Sequence, residues 1–190
     1  MASDVDICNS ALNMIGASNI IALTEDSKAG RVCNQRYEFV RDSVFRAHPW
    51  NCLIRRTALA VLSDAPAYEF AYQFSLPTDP YCLRVLDVEG EVDQGVTYVI
   101  EGRKLLTDEG TINLRYLARV TDANEYDSLL IETIAARMAH EIAYTMTNSN
   151  GFTESLWNLY LMKLSEARFA DATEGTPEEL VSDNFTTIRL

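Results

Sequence analysis

The period of the hydrophobic pattern changes twice along this chain, and no other feature of the sequence constrains the fold as strongly. Apolar residues recur at helical spacing in residues 1–49, alternate with polar residues in much of 50–119, and return to helical spacing in 122–174. Spacings of three and four residues indicate amphipathic helices, whereas alternation indicates half-buried strands. Helices, then strands, then helices is the order expected of an α+β protein.

Two helices are predicted in residues 1–49. Ser3 is a candidate N-cap for the first, because acidic residues follow it in the turn where the helix dipole favours anions. Asp26 or Ser27 could cap the second helix. Pro49 ends the second helix, since the residue before a proline is pushed out of helical backbone conformation.

Residues 50–119 carry regularly spaced prolines and glycines between short runs of β character. Gly102 with Arg103 predicts a tight turn that folds one strand back on its neighbour. We predict one small antiparallel sheet of about four to six strands in this region. The clearest candidate strands lie around 70–74, 83–88, 96–101 and 112–117.

Residues 122–174 predict two further helices, the first with two neighbouring apolar ridges. Two ridges make a wide apolar face, so we expect this helix to be the most buried in the molecule. Its alanines would let another helix approach closely. One ridge consists of Leu130, Ile134, Met138, Ile142 and Met146, and the other of Ile131, Ala135, Ala139 and Ala143.

These elements predict a single α+β domain over residues 1–175. We expect a bundle of about four helices, with the antiparallel sheet inserted between the two helical pairs. Residues 176–190 follow the domain. Residues 176–179 read Thr-Pro-Glu-Glu, a capping-box pattern with Thr176 as N-cap and Glu179 at N3. This pattern predicts one short helical turn. The residues after that turn have no periodic pattern and predict an extended C-terminal tail.

The charge balance limits the possible partners. The chain has 16 Lys and Arg against 28 Asp and Glu, for a net charge of −12. Such an acidic excess argues against a protein that grips nucleic acid, because that affinity comes mainly from basic side chains on phosphates. No apolar run is long enough for a membrane helix. The first residues lack a signal-peptide pattern, so we expect reduced cysteines in a cytoplasmic setting.

The search for catalytic motifs gives mainly negative results. His140 and Glu141 begin like the H-E-x-x-H zinc motif, but Tyr144 stands where the second histidine should be. Serine-hydrolase, phosphate-loop and dinucleotide-binding motifs are absent from the sequence. We therefore predict no catalytic residue, no metal site and no cofactor. Paired carboxylates could hydrolyse a glycoside, but any acidic protein offers such pairs.

The arginines of the second helix raise the question of phosphate binding. Arginines recur every five residues in the second helix, which rotates each by about 140° from the last, so they form no stripe for phosphates. We expect most of them to be solvated or paired with acids such as Glu38 and Asp42.

The aromatic residues near Trp50 and in residues 68–81 favour a core seam between the sheet and the helices, with a subunit interface as the alternative.

Several segments of the chain follow one another in an order that is similar to a known family. They are FRAHPWN at 45–51, RRTAL at 55–59, YQFSLPTDPYCLRV at 72–85, IEGRKLL at 100–106, LRY at 114–116 and ARFADA at 167–172, with an alanine-rich helix after Asp122. Together these segments resemble the tail tubular protein A family, the head-to-tail adaptors (connectors) of short-tailed phages. The resemblance covers nearly the whole chain and lies in the series of segments rather than in one motif.

The resemblance implies a structural virion protein without catalytic residues or cofactors. Such adaptors form a ring of about twelve subunits, a closed assembly of one chain. The ring joins the portal protein to the tail nozzle, and genomic DNA only passes through its channel during ejection. The resemblance implies no membrane partner. The protein would be assembled in the host cytoplasm and located in the tail neck of the virion.

The same resemblance implies that the chain termini reach neighbouring proteins in the particle. The C-terminal tail is short and contains apolar residues that could anchor it on a partner. Its sequence predicts no fold of its own. We therefore expect it to bind a partner. The candidate partner-binding residues are Asn184, Phe185, Ile188, Arg189 and Leu190.

Two other functions remain open from the sequence. The chain could be a tail-associated hydrolase that cleaves cell wall or polysaccharide, because carboxylate pairs are plentiful. It could also be an assembly chaperone or a DNA-packaging accessory protein that is absent from mature particles. An activity assay with acid-to-amide variants separates the first of these from an adaptor, and the composition of purified virions separates the second.

Overall fold

The computed structural model describes residues 2–90 and 95–175 of the chain. Over these residues the protein is an α+β fold. Short 3₁₀ turns at Asn51–Leu53 and Ala123–Glu125 precede β1 and α3. The helices and strands are α1 (Asp4–Met14), α2 (Lys28–Ala47), β1 (Ile54–Leu59), β2 (Tyr72–Ser75), β3 (Cys82–Glu89), β4 (Tyr98–Glu101), β5 (Lys104–Thr107), β6 (Ile112–Ala118), α3 (Ser128–Thr147) and α4 (Asn150–Thr173).

The α3 helix is the centre of the bundle. It contacts α1, α2 and α4, so the early and late helical pairs of the sequence pack together through it. Leu130, Ile134 and Ala139 are fully buried, in agreement with the two predicted ridges. More residues are buried in α3 than in any other described helix. The expected deep burial of α3 is confirmed.

The predicted caps of the first two helices are present. Ser3 accepts a hydrogen bond from the backbone of Asp6, whose carboxylate accepts one from the Ser3 backbone, which makes a capping box. These bonds to Ser3 lower the pKa of the Asp6 carboxyl group. Ser27, rather than Asp26, caps α2 by accepting a hydrogen bond from the Gly30 backbone.

The strands form two three-stranded antiparallel sheets, so the prediction of one sheet was wrong. β6 lies between β1 and β3 in one sheet, and β5 lies between β2 and β4 in the other. Residues along β1 pair with β6 from Ile54 opposite Leu117 to Leu59 opposite Ile112. An alternating pattern shows which face of a strand is buried but carries no information about its partner, because strand pairing is not local.

The predicted turn at Gly102 and Arg103 is confirmed. Both residues have positive φ angles, 50° and 66°, and Glu101 pairs directly with Lys104. Positive φ at both central residues is typical of a type I′ hairpin, whose twist matches that of the two strands. The turn therefore sets the register of β4 against β5.

The candidate strand at 70–74 lies two residues further along, at Tyr72–Ser75. Gln73 and Phe74 are both buried, which breaks the predicted alternation. The cause is a connecting segment that covers Gln73: the Leu62 backbone donates to its carbonyl, and its side-chain amide donates to the Asp64 carbonyl. A polar residue is therefore buried with its hydrogen bonds satisfied.

The helices and sheets share one hydrophobic core. Phe45 of α2 packs edge-on against Tyr126 before α3, with ring centroids 5.4 Å apart. Trp50 is buried where the chain passes from α2 to β1, and its indole nitrogen donates to the Val44 carbonyl at 3.0 Å. The predicted turn at 176–179 and the tail lie outside the described residues.

No helix in the described part of the chain combines the length and the apolar character that crossing a membrane requires.

The central position of α3 predicts a large effect from one core substitution. Ile134→Ala should lower the free energy of unfolding by about 2–5 kcal/mol, because it removes fully buried methyl groups and leaves a cavity. Ile21→Ala is the matched control, since Ile21 is 92% exposed. Urea unfolding measures both. An equal effect of the two substitutions would contradict the central role of α3.

Candidate functional site

The predicted partner-binding residues, Asn184, Phe185, Ile188, Arg189 and Leu190, lie outside the described residues. The structure does show where the chain leaves the domain. The α4 helix ends at Thr173, and its last turn is attached to the connection between α2 and β1.

Asp171 makes that attachment. Its carboxylate lies 2.9 Å from His48 Nε2 and accepts a hydrogen bond of 2.9 Å from the Asn51 backbone. The Asn51 side chain donates to the Asp171 carbonyl at 2.7 Å. The edge of the His48 ring faces Trp50, with centroids 4.9 Å apart. These contacts fix the position from which residues 176–190 depart.

The histidine and cysteine at this junction are in structural contacts. His48 is the C-cap of α2, and its ring contacts the Asp171 carboxylate. Burial raises the pKa of the nearby Cys52 thiol and the charge of Asp171 adds to the rise, although a hydrogen bond with the Asp127 backbone opposes it. A raised pKa disfavours the thiolate, which is the nucleophilic form of cysteine. The junction therefore lacks an activated thiol.

The second histidine is also in a structural contact. His140 Nδ1 lies 3.1 Å from the Thr153 carbonyl, and its ring packs against Trp157. Glu141 forms ion pairs with Arg36 and Arg137 at 2.6 and 2.7 Å. Within the described residues, no three His, Cys, Asp or Glu side chains are grouped so that they could hold a metal ion.

The arginines of α2 are dispersed, as their spacing predicted. Arg31 pairs with Asp26, Arg36 with Glu141 and Arg41 with Asp42. Arg46 donates to the Leu83 carbonyl. Arg41 is buried rather than solvated, and its guanidinium lies over the rings of Tyr37 and Phe45. No row of free guanidinium groups for phosphates therefore runs along this helix.

The aromatic residues divide between the core and the surface. Trp50 and Phe74 are buried in the core, as the core-seam interpretation predicts. Tyr68 is 80% exposed, and Tyr72 is partly exposed at the edge of the β2–β5–β4 sheet.

The outer face of α4 carries the most distinctive exposed surface of the helices. Met162 and Phe169 are 62% and 75% exposed, and Leu161 beside them is 44% exposed. Met162 and Phe169 belong to a row of exposed residues three and four positions apart, which forms one face of a helix. We call this row the α4 row. It has no charged member and consists of Ser155, Asn158, Met162, Ser165, Phe169 and Ala172.

The α4 row was not predicted from the sequence. Other apolar residues of this helix, Leu156, Tyr160 and Ala167, are buried in the core. The missed signal was an uncharged helical row in a strongly acidic chain. Reading the helix for rows without charge, as well as for apolar rows, would have found it.

Comparison with the models of known protein families gives no match, and none of the curated proteins matches the chain.

The junction at Asp171 predicts a loss of stability when its carboxylate is removed. Asp171→Ala should lower the free energy of unfolding by about 2 kcal/mol, because it leaves the Asn51 N–H and the largely buried His48 ring without their partner. Asp171→Asn is the control, since its side-chain oxygen can still accept from Asn51. Thermal unfolding measures both variants. An alanine variant as stable as the asparagine variant would show that these contacts contribute little.

Proposed function

We propose that this protein is a structural head-to-tail adaptor of a short-tailed bacteriophage. Copies of the chain form a ring of about twelve subunits by repeated contacts between two different surfaces. The ring joins the portal to the tail nozzle and leaves a channel through which the genome passes. The proposal follows the resemblance of the sequence segments, and the surface of the described residues supports it.

The α4 row is the observation that carries the proposal. Exposed side chains of the size of Met162 and Phe169 on one helix face are typical of a surface that another protein covers. Copies with a net charge of −12 repel one another, so their contacts need a region without acidic groups. The α4 row is such a region, with Glu166 and Arg168 at its sides.

The charge distribution is compatible with a DNA channel. The acidic excess repels phosphates, and most arginines in the described residues are neutralised by nearby carboxylates. A channel wall that bound DNA tightly would slow its passage, because affinity for the phosphate backbone comes from free Lys and Arg.

The junction at Asp171 supports a docking role for the tail. The end of α4 is held to the connection between α2 and β1, so the tail starts from a fixed point on the domain. A segment with a fixed origin loses less conformational freedom when it binds than one with a mobile origin. The tail residues Phe185, Ile188 and Leu190 supply the apolar anchors.

The α4 row gives the first test. Met162→Glu combined with Phe169→Glu should raise the concentration needed for ring assembly about a hundredfold, because it places charges in an apolar contact. Ile21→Glu combined with Phe39→Glu is the matched control, since it also adds two acids at exposed apolar positions. Mass measurement with and without portal, together with electron microscopy, provides the readout. Rings that form equally well from both variants would remove the main support for the proposal.

The tail gives the second test. Deleting residues 183–190 should leave filled heads that do not acquire tails, because the apolar anchors of the tail are lost. The readout is the fraction of tailed particles, counted in micrographs. Normal tailing would rule out the docking role. Absence of the full-length chain from purified virions would instead favour an assembly chaperone.

A further inference from the structure

A cleft of about 290 Å³ on the β-sheet side of the domain is lined by three arginines and by no acidic residue. Arg46 comes from the last turn of α2, Arg84 from β3, and Arg103 from the hairpin between β4 and β5. We call it the arginine cleft. The remaining lining residues form what we call the apolar floor: Leu76, Cys82, Leu83, Val85 and Ile100.

A bulge in β3 builds the wall of the cleft. Cys82 pairs with Ala118 and Arg84 with Leu117, so Leu83 is an extra residue without a partner in β6. In a regular strand, neighbouring side chains point to opposite faces. The bulge breaks this alternation and lets consecutive residues line one cleft, as bulges beside binding sites do.

Two of the three arginines are held in place by neutral groups. Arg103 donates to the carbonyls of Cys82 and Pro77 at 3.2 and 2.7 Å, and its guanidinium lies 3.8 Å from the ring centre of Tyr81. Arg46 donates to the Leu83 carbonyl. These contacts orient the guanidinium groups without neutralising them.

The charges of the three cleft arginines are not balanced by a carboxylate of the described residues, whereas seven of the twelve described arginines form ion pairs. Arg31, Arg36, Arg41, Arg55 and Arg137 pair with carboxylates. The cleft arginines form no ion pair with any carboxylate in residues 2–90 or 95–175. The field of Arg103 and Arg46 also reaches the Cys82 thiol, where it opposes the rise in pKa that burial causes.

The combination of charge and apolar floor selects a class of ligand. Guanidinium groups bind carboxylates through charge-assisted hydrogen bonds, and an apolar floor accepts aliphatic side chains. A phosphate backbone would meet the arginines but leave the exposed apolar surface of Ile100 uncovered. The net charge of −12 also disfavours nucleic acid. An extended peptide with both acidic and apolar residues fits the cleft best.

The chain contains such a peptide. Residues 176–190 carry Glu178, Glu179 and Asp183 next to Leu180 and Val181. When extended, this segment could span about 50 Å. The arginine cleft and the acidic segment are different parts of one chain with opposite charges. A contact between them from copy to copy is heterologous, which is the kind of contact that closes a ring.

We propose that the arginine cleft of each copy binds the acidic segment 176–190 of a neighbouring copy. This inference rests on the proposed ring and adds a second contact to it, besides the α4 row. The glutamates bind the arginines, and the aliphatic residues between them cover the apolar floor.

Disulfide trapping between two differently tagged full-length chains tests this contact. One chain carries Ile100→Cys in the cleft, the other carries Val181→Cys, and oxidised glutathione is the oxidant. We expect a cross-linked dimer that contains both tags, and oxidation of the unsubstituted chain should give none. Absence of this dimer would overturn the proposal. A chain that carries both cysteines is tested separately, and a cross-link that forms only within that chain would overturn the proposal as well.

Charge reversal tests the chemistry of the contact. Adding Arg84→Glu to the cleft chain should reduce the cross-link yield about tenfold, because like charges then face each other. Glu179→Arg in the other chain should restore it. Arg84 suits this test because its guanidinium has no partner among the described residues, so its replacement should leave the melting temperature unchanged. Arg56→Glu, on an exposed arginine outside the cleft, is the matched control and should have no effect.

Two outcomes separate this inference from its alternatives. If cross-linking does not depend on Arg84 but Met162→Glu with Phe169→Glu still blocks assembly, the cleft contact is overturned. The adaptor proposal then stays in place. Binding of a short DNA duplex that is lost in Arg84→Glu would assign the cleft to phosphates and overturn the inference as well.

Discussion

The wide apolar face of α3 is the constraint on which the rest of the structure depends. A helix with two adjacent apolar ridges has to be covered on several sides, and α1, α2 and α4 together provide that cover. Because these helices come from both ends of the described chain, their packing brings the two ends of the strand region together. The two sheets are therefore an insertion between the two helical pairs, and both ends of the insertion are fixed.

The junction at Asp171 is a consequence of this packing. α4 can reach the connection between α2 and β1 only because both helices pack on α3. Asp171, which is 9% exposed, then satisfies the Asn51 backbone and the His48 ring. A buried carboxylate with these partners fixes one geometry, since any other arrangement would leave a polar group without a hydrogen bond. The junction thus sets where the C-terminal segment begins.

Charge organises the outer surface as the apolar ridges organise the interior. The acidic excess keeps copies apart and disfavours bound DNA. Against that background, an uncharged row on α4 and a cleft with three unneutralised arginines stand out. Both are regions where the general repulsion between copies is absent or reversed. The proposed ring uses these two regions, and the acidic segment 176–190 supplies the complementary charge.

The sequence alone determined the fold class, the helix cap at Ser3, the Gly102–Arg103 turn and the buried ridges of α3. Each depends on residues within a few positions of one another, where spacing and backbone preference decide the outcome. It did not determine the division into two sheets, the partner of His48, or the grouping of Arg46, Arg84 and Arg103. Those features join residues that are far apart in the chain, and a bulge at Leu83 redirects side chains that alternation alone would misplace. Only the tertiary structure decides them, because long-range pairing depends on how the whole core packs.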